Sequence, residues 1–146
     1  MGRSRGGLTT KIHVLADARG LPLRFDLTPG QAHDSRAAAG LLRNLPADSF
    51  VLADKAYDAD WIRALIEGQD AVANIPDRAN RKQAHAFSPT LYRERNRVER
   101  LFNRLKQCRR IATRYEKLAA NFCAMIKLAA TRIWLRAAQA AYESTA

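Results

Sequence analysis

Two acids in this sequence stand where chemistry is possible. Asp54 directly follows residues 49–53 (SFVLA), a short and continuously apolar run. A strand buried on both faces reads as such a run, and ligands of open α/β sheets bind beyond the carboxyl ends of the strands. The same position also suits a turn cap, so both roles stay open for Asp54. Glu99 lies among Arg95, Arg97, Arg100 and Arg104, any of which can pair with it as a surface ion pair. Helical geometry adds more. At about 100° per residue, Tyr92, Arg95, Glu99, Asn103 and Lys106 fall at about 0°, −60°, −20°, 20° and −40°, one polar stripe. Val98, Leu101, Leu105, Cys108 and Ala112 fall at about 160–240°, a separate apolar stripe turned to the core. Glu99 thus stands between core and solvent, ringed by cations able to hold phosphates, where an acid suits a metal ligand.

The charge supports a polyanionic partner. The chain has 146 residues, with 25 Lys and Arg against 14 Asp and Glu, a formal net charge of +11 and a pI near 10.5. Residues 1–77 hold 9 basic and 10 acidic side chains, residues 78–117 hold 13 and 3, and residues 118–146 hold 3 and 1. Nearly all the excess lies in one forty-residue stretch. A helix with so much one-sided charge repels itself unless an anion neutralises it, so a nucleic-acid backbone fits better than a merely solvated face. No stacking aromatic motif or glycine-clamped loop favours RNA. The 47% of apolar residues excludes wholesale disorder. No apolar run reaches the roughly 18 residues of a membrane span. The basic start does not read as a signal peptide. Cys108 and Cys123 have no zinc spacing and read as reduced, buried thiols of a cytoplasmic protein.

The elements that must position these residues follow from periodicity. Residues 9–15 (TTKIHVL) and 21–27 (LPLRFDL) predict two strands of a hairpin around the turn residues 17–20. A helix over residues 36–45 is capped by Asp34 or Ser35, and another, running to Glu67, is capped by Asp58 and stopped by Gly68. Residues 49–53 and 71–75 predict short strands, and a basic loop (RANRKQAHAFSP) follows. Long helices are predicted over residues 91–114 and 119–142; the second carries Phe122, Met125, Ile126, Ala129, Ala130 and Ile133 as a core stripe. The order β–β–α–β–α–β–α–α is an α/β layered domain, a single one at this length.

Tyr92, Arg95, Glu99 and Lys106, at these spacings, resemble the Tyr–Arg–Glu–Lys signature of bacterial insertion-sequence transposases of the DDE type, in the type-five-like group. The segments GRSRGGLTTKIH, PGQAHDS (29–35), LADKAYD (52–58) and the run Arg114, Tyr115, Lys117 are similar to the same group, so the likeness covers nearly the whole chain. It implies a ribonuclease-H-like mixed sheet with flanking helices and a carboxy-terminal helical pair. It further implies two divalent ions, Mg²⁺ with Mn²⁺ as substitute, held by three carboxylates. Asp54 matches the family's second Asp and Glu99 its third acid. Tyr92, Arg95 and Lys106 would hold transposon-end DNA near the cut, with Arg97, Arg100, Arg104, Arg109 and Arg110 as further DNA contacts. His33–Asp34 stands beside the metals or, alternatively, Asp34 caps a helix; His13, within a strand, reads as structural.

The family's first Asp lies on the first, central strand, upstream of the segment resembling GRSRGGLTTKIH. No residue here takes its place, because Asp17 falls in a turn and Asp26 on the second strand. The expectation is therefore the carboxy-terminal part of a DDE transposase, inactive alone, with two unpaired strand edges where the first strand would lie. Its partner would be an upstream half encoded in an overlapping frame, unless the chain is a decayed remnant. Double-stranded DNA, both transposon ends and target, and a second copy on paired ends complete the expected partners of a cytoplasmic, nucleoid-associated protein. The alternative is a catalytically inactive DNA-binding fragment that modulates the full-length enzyme.

Overall fold

The computed structural model of the chain describes residues 2–4, 7–113 and 116–145. Arg114 and Tyr115, expected as part of the family resemblance, lie outside the described residues. Strands β1 (Gly2–Ser4), β2 (Gly7–Ala16) and β3 (Pro22–Pro29) form an antiparallel sheet with β2 in the middle. Strands β4 (Phe50–Leu52) and β5 (Val72–Asn74) form a separate parallel pair, Val51 opposite Ala73. A mixed sheet was expected. The strands instead divide into two sheets with no ladder between β2 and β4 among the described residues.

The β2–β3 hairpin forms because residues 10–14 alternate β-branched and polar side chains ahead of tight turn chemistry. Asp17 fixes that turn by accepting from Arg19 N at 2.9 Å and Leu21 N at 2.8 Å. Burial alone would push the Asp17 carboxyl up, but these hydrogen bonds and the Arg19 guanidinium hold it below its ordinary range. Gly20 follows at φ +74°, where a side chain is strained, and a Cβ there would lie 3.2 Å from Arg97 Cβ. Gly20→Ala is therefore expected to cost about 1–2 kcal/mol in urea unfolding. An unchanged midpoint would show that the turn is not held in this form.

The even positions of β2 and the odd positions take opposite layers. Val14 and Ala16 pack with Leu21, Leu101, Leu105 and Ile133, while Ile12 packs with Ile111, Phe122 and Ile126. Leu15 packs against the other core, built from α1 (Ala38–Leu41), α2 (Asp60–Glu67), β4 and β5 around Ile62, Ile66 and Ile75. Helices α4 (Asn96–Lys106) and α6 (Ala119–Glu143) thus cover one face of the hairpin. The stripe expected on α6 is largely buried, with Phe122, Ile126, Ala130 and Ile133 enclosed.

Three expected elements differ. The helix over 36–45 shrinks to a 3-10 turn, Asp34–Ala37, and the four residues of α1. Arg24 ends it by donating to Leu41 O at 2.9 Å, and His33, without a side-chain cap, stands at its start. Neither Asp34 nor Ser35 is the N-cap, because the Asp34 carboxylate is drawn to Lys11 Nζ at 2.7 Å. Asp58 does not cap α2, which Ala59 precedes; its fully buried carboxylate serves two arginines instead. The helix over 91–114 is also interrupted. Ser88 caps the short α3 (Pro89–Tyr92), the 3-10 turn Arg93–Arg95 leads into α4, and Cys108 turns extended (ψ 106°) before α5 (Arg109–Ala112). That break turns Ile111 into the cluster with Phe122 and Ile126.

Candidate active site

Asp54 stands just beyond β4, with extended backbone (φ −79°, ψ 169°), and its Oδ1 accepts from Ala56 N at 2.8 Å. It is therefore a turn cap, but the cap uses one oxygen only. Asp54 also lines a cavity of about 340 Å³ whose walls include Lys11–Leu15 of β2 on one side and Val51–Ala53 on the other. Consecutive residues of each strand line it, so two strand edges meet the same space. β1 covers only Gly7–Thr9 of β2, and β4 is paired only to β5, so both edges lack a strand partner there among the described residues.

The rest of the wall is polar on one side and apolar on the other. Asp34, Tyr57 and Arg95 share it with Val98 and Phe102. Lys11 is held by Asp34 and donates to Ala32 O at 2.9 Å. Buried His13 lies between the Tyr57 hydroxyl at Nδ1 and Thr28 Oγ1 at Nε2, each 2.8 Å away. Burial holds its pKa below the ordinary value against the opposing pull of Asp34, Asp26 and Asp54, so the ring is neutral at pH 7. Burial, then the same acids, pushes the Tyr57 hydroxyl well above its usual range, which keeps it protonated. The structural role expected for His13 agrees with these contacts, whereas His33 is exposed.

Glu99 is 56% exposed and accepts from Arg95 Nη2 at 2.6 Å, the ion pair its surroundings allowed. Arg95 also lies 5.5 Å from the Tyr92 ring. Tyr92, Arg95 and Glu99 therefore form one continuous group, and of the three Arg95 lines the cavity. Lys106 is exposed at the end of α4. Arg97 is paired with Glu94 at 2.5 Å and donates to Ala18 O, and Arg104 Nη2 donates to Gly20 O at 2.8 Å. Arg109 and Arg110 are exposed on α5, Arg110 with Glu116 at 3.8 Å.

The donor chemistry suits a hard divalent cation. Asp34, Asp54 and Glu99 each use one carboxylate oxygen in the contacts above and leave the other free among the described residues. They do not close a ligand set by themselves. Among the described residues, the group whose ligand atoms lie close enough to share an ion is Asp58, Asp77 and His85. Arginines already occupy that group. Arg63 and Arg81 each reach Asp58 Oδ1 at 2.9 Å, Arg63 reaches Asp77 Oδ1 at 3.1 Å, and Arg78 N donates to Asp58 Oδ2 at 2.9 Å. It is an ion-pair network that pins the segment after β5 to α2.

Sequence reasoning did not find Lys11 and Tyr57 as lining residues. The one signal available was that each falls inside a segment already singled out, TTKIH and LADKAYD.

The sequence that forms this cleft has counterparts among known proteins. Residues 2–134 match the model of the transposase DDE domain, and the chain belongs to that family. It is also 44% identical over 130 residues to a Brucella ovis protein named "Putative transposase for insertion sequence element IS6501", covering 88% of this chain and all of that protein. No solved structure matches the chain. No helix among the described residues is long and apolar enough to cross a membrane.

Proposed function

We propose that the chain acts in DNA transposition as the carboxy-terminal half of a DDE transposase, cutting DNA and transferring strands at insertion-sequence ends. The observation that supports this is the cavity between β2 and β4, where two unpartnered strand edges meet beside Asp54. A strand seated there would join the two sheets into one mixed, ribonuclease-H-like sheet and bring a third carboxylate next to Asp54. That strand would come from an upstream half of the enzyme, and residues 1–146 form the partial catalytic domain it completes. Asp54 and Glu99 are the two carboxylates this chain contributes to holding Mg²⁺, or Mn²⁺ in its place. Ions held there would supply the activation of a water or 3′-hydroxyl and the stabilisation of the leaving oxygen.

The chain's own residues prepare the site in definite ways. The Ala56 N–H orients Asp54 with its second oxygen free. Arg95, held between Glu99 and the Tyr92 ring, can release Glu99 when a phosphate takes its guanidinium. Lys106, Arg97, Arg100, Arg104, Arg109 and Arg110 bind duplex phosphates, and a second copy joins on paired ends. The protein works in the cytoplasm, on the nucleoid.

The experiment joins the chain in frame to the segment encoded upstream of it and incubates it with supercoiled plasmid carrying an element end. Nicking is expected with Mg²⁺, none with EDTA, and recovery on adding Mn²⁺. Nicking that continues in EDTA contradicts the carboxylate–metal assignment. A second reading is favoured by the Arg95–Glu99 ion pair, which occupies the acid: a non-catalytic DNA-binding fragment that modulates the full-length enzyme. It gains if salt-sensitive binding is found without nicking in either metal.

A further inference from the structure

The basic residues of α4 and of the 3-10 turn that leads into it do not belong to one surface. Arg93, Arg97, Arg100 and Arg104 recur at spacings of four, three and four, which puts them on one side of the helical segment. On the wheel that places Tyr92, Arg95, Glu99 and Lys106 between about −60° and 0°, these four fall between about 80° and 140°. They are turned away from the Asp54 cavity.

This second face is built against another element. Together with Arg19, Glu94 and Asn96, the four arginines line an open hollow of about 600 Å³ between α4 and the hairpin turn. The turn is docked by its carbonyls: Arg97 donates to Ala18 O, and Arg104 donates to Gly20 O at 2.8 Å. Arg19 is set by Asp17 at 3.0 Å and by the Trp134 ring, 5.4 Å from its guanidinium carbon. Glu94 answers Arg97, and Asp17 answers Arg19. Arg93 and Arg100 are exposed and have no ion-pair partner among the described residues. Five guanidinium groups against two carboxylates leave a surplus that a bound anion would neutralise.

The shape says which anion. Arg93 and Arg104 are eleven residues apart, about 16 Å along a helix, and one DNA strand carries a phosphate about every 3.4 Å along its axis. An open row of that length suits several phosphates in succession rather than one small ion. We infer that the groove between α4 and the hairpin turn is a second phosphate-backbone track, gripping a stretch of duplex DNA distinct from the one at Tyr92, Arg95 and Lys106. This rests on the reading of the chain as a DNA-acting enzyme and adds Arg19 and Arg93 to its DNA contacts. The two tracks lie on different faces of one helical stretch, the 3-10 turn and α4 included, so they serve separate stretches of DNA.

The test is binding of a fluorescein-labelled 30-base-pair duplex of arbitrary sequence to the full chain, followed by anisotropy between 50 and 200 mM salt. Arg93→Ala with Arg100→Ala removes two side chains with no hydrogen bond or ion pair among the described residues. The slope of log affinity against log salt is expected to flatten by about 1.8, or about 0.9 per phosphate released. The pair Arg95→Ala and Lys106→Ala should flatten it by a similar amount, and the effects should add because the contacts are independent. An unchanged slope in the first pair, with a flattened slope in the second, overturns the groove and leaves the DNA reading standing. Unchanged slopes in both overturn the DNA reading as well. Should the alanine pair fail to fold, Arg100→Gln alone is expected to flatten the slope by about 0.9, and no change there overturns the groove.

Discussion

Asp54→Asn, in the chain joined to the proposed upstream-encoded segment, is expected to lower Mg²⁺-dependent plasmid nicking by more than about 100-fold while leaving the fold in place. The scale follows from metal sites generally, where losing even an outer-shell partner costs about 10–100-fold in affinity or activity. The selectivity follows from the position. The observed role of Asp54 and its proposed one use different oxygens: Oδ1 caps the turn by accepting from Ala56 N, and the other oxygen is free for the proposed cation. Asn keeps a carbonyl oxygen for the cap and caps about as well as Asp, so the melting temperature should barely move. What it removes is the negative charge at the end of β4. Asp54→Ala would lose both roles and cost about 1 kcal/mol in addition. Equal nicking by wild type and Asp54→Asn would make Asp54 a cap and nothing more. Glu99→Gln should behave similarly, since its side chain makes a single described contact, to Arg95.

The largest expected loss of stability belongs to Asp58→Asn. The Asp58 side chain is 0% exposed and Arg63 only 5%, and Arg63 bonds it through both Nε and Nη2 at 3.1 and 2.9 Å. Removing one partner of a buried pair strands the other charge and costs about 3–5 kcal/mol. For a chain of this size that is a fall of about 6–20 °C in melting temperature. Arg81 and the backbone N–H of Arg78 would lose their acceptor too, freeing the segment after β5 from α2. The same group sets an acid limit on stability. Burial by itself would raise the Asp58 pKa, but the hydrogen bonds from Arg81, Arg78 N and Arg63 outweigh it and hold the carboxyl well below the ordinary range. A carboxylate held down in the folded state contributes its full share above its unfolded pKa, about 3.9. That share is lost as pH falls below this value. Melts from pH 6 to pH 3 should therefore drop at the acid end in wild type, and the drop should be smaller in Asp58→Asn. Parallel curves would mean that Asp58 is not the group responsible.

What the sequence disclosed and what it withheld divide along a physical line. The hairpin, the strands around Val51 and Ala73 and the final helix were legible, because each rests on local periodicity and turn residues that short-range sterics decide. Asp54 was legible for the same reason, as the acid that ends an apolar strand. The polar face that runs from Tyr92 through Arg95 to Glu99 in α4 followed from helical spacing alone. The misjudged features all depend on partners far along the chain. Asp58 has the form of a helix cap, but Arg81, 23 residues later, claims its carboxylate. Asp34 likewise turns to Lys11, 23 residues earlier, so the helix behind it starts without a side-chain cap and stays short. The break at Cys108 carries no glycine or proline; it is made by the burial of Ile111 against Phe122 and Ile126. Separation of the strands into two sheets is a pairing fact, and periodicity within a strand is silent about pairing between strands. Lys11 and Tyr57 reach the cavity wall by the same long-range folding.

Hydrogen exchange at the two open strand edges tests the central claim most directly. The chain is compared alone and joined to the proposed upstream-encoded segment, following the amides of residues 11–16 in β2 and 50–54 at β4. Those pointing into the cavity are expected to exchange readily in the chain alone and to become strongly protected in the joined protein, as a strand takes both edges. Unchanged exchange at both edges in a joined protein that nicks DNA would contradict the account, since the active site would then be completed somewhere other than between β2 and β4.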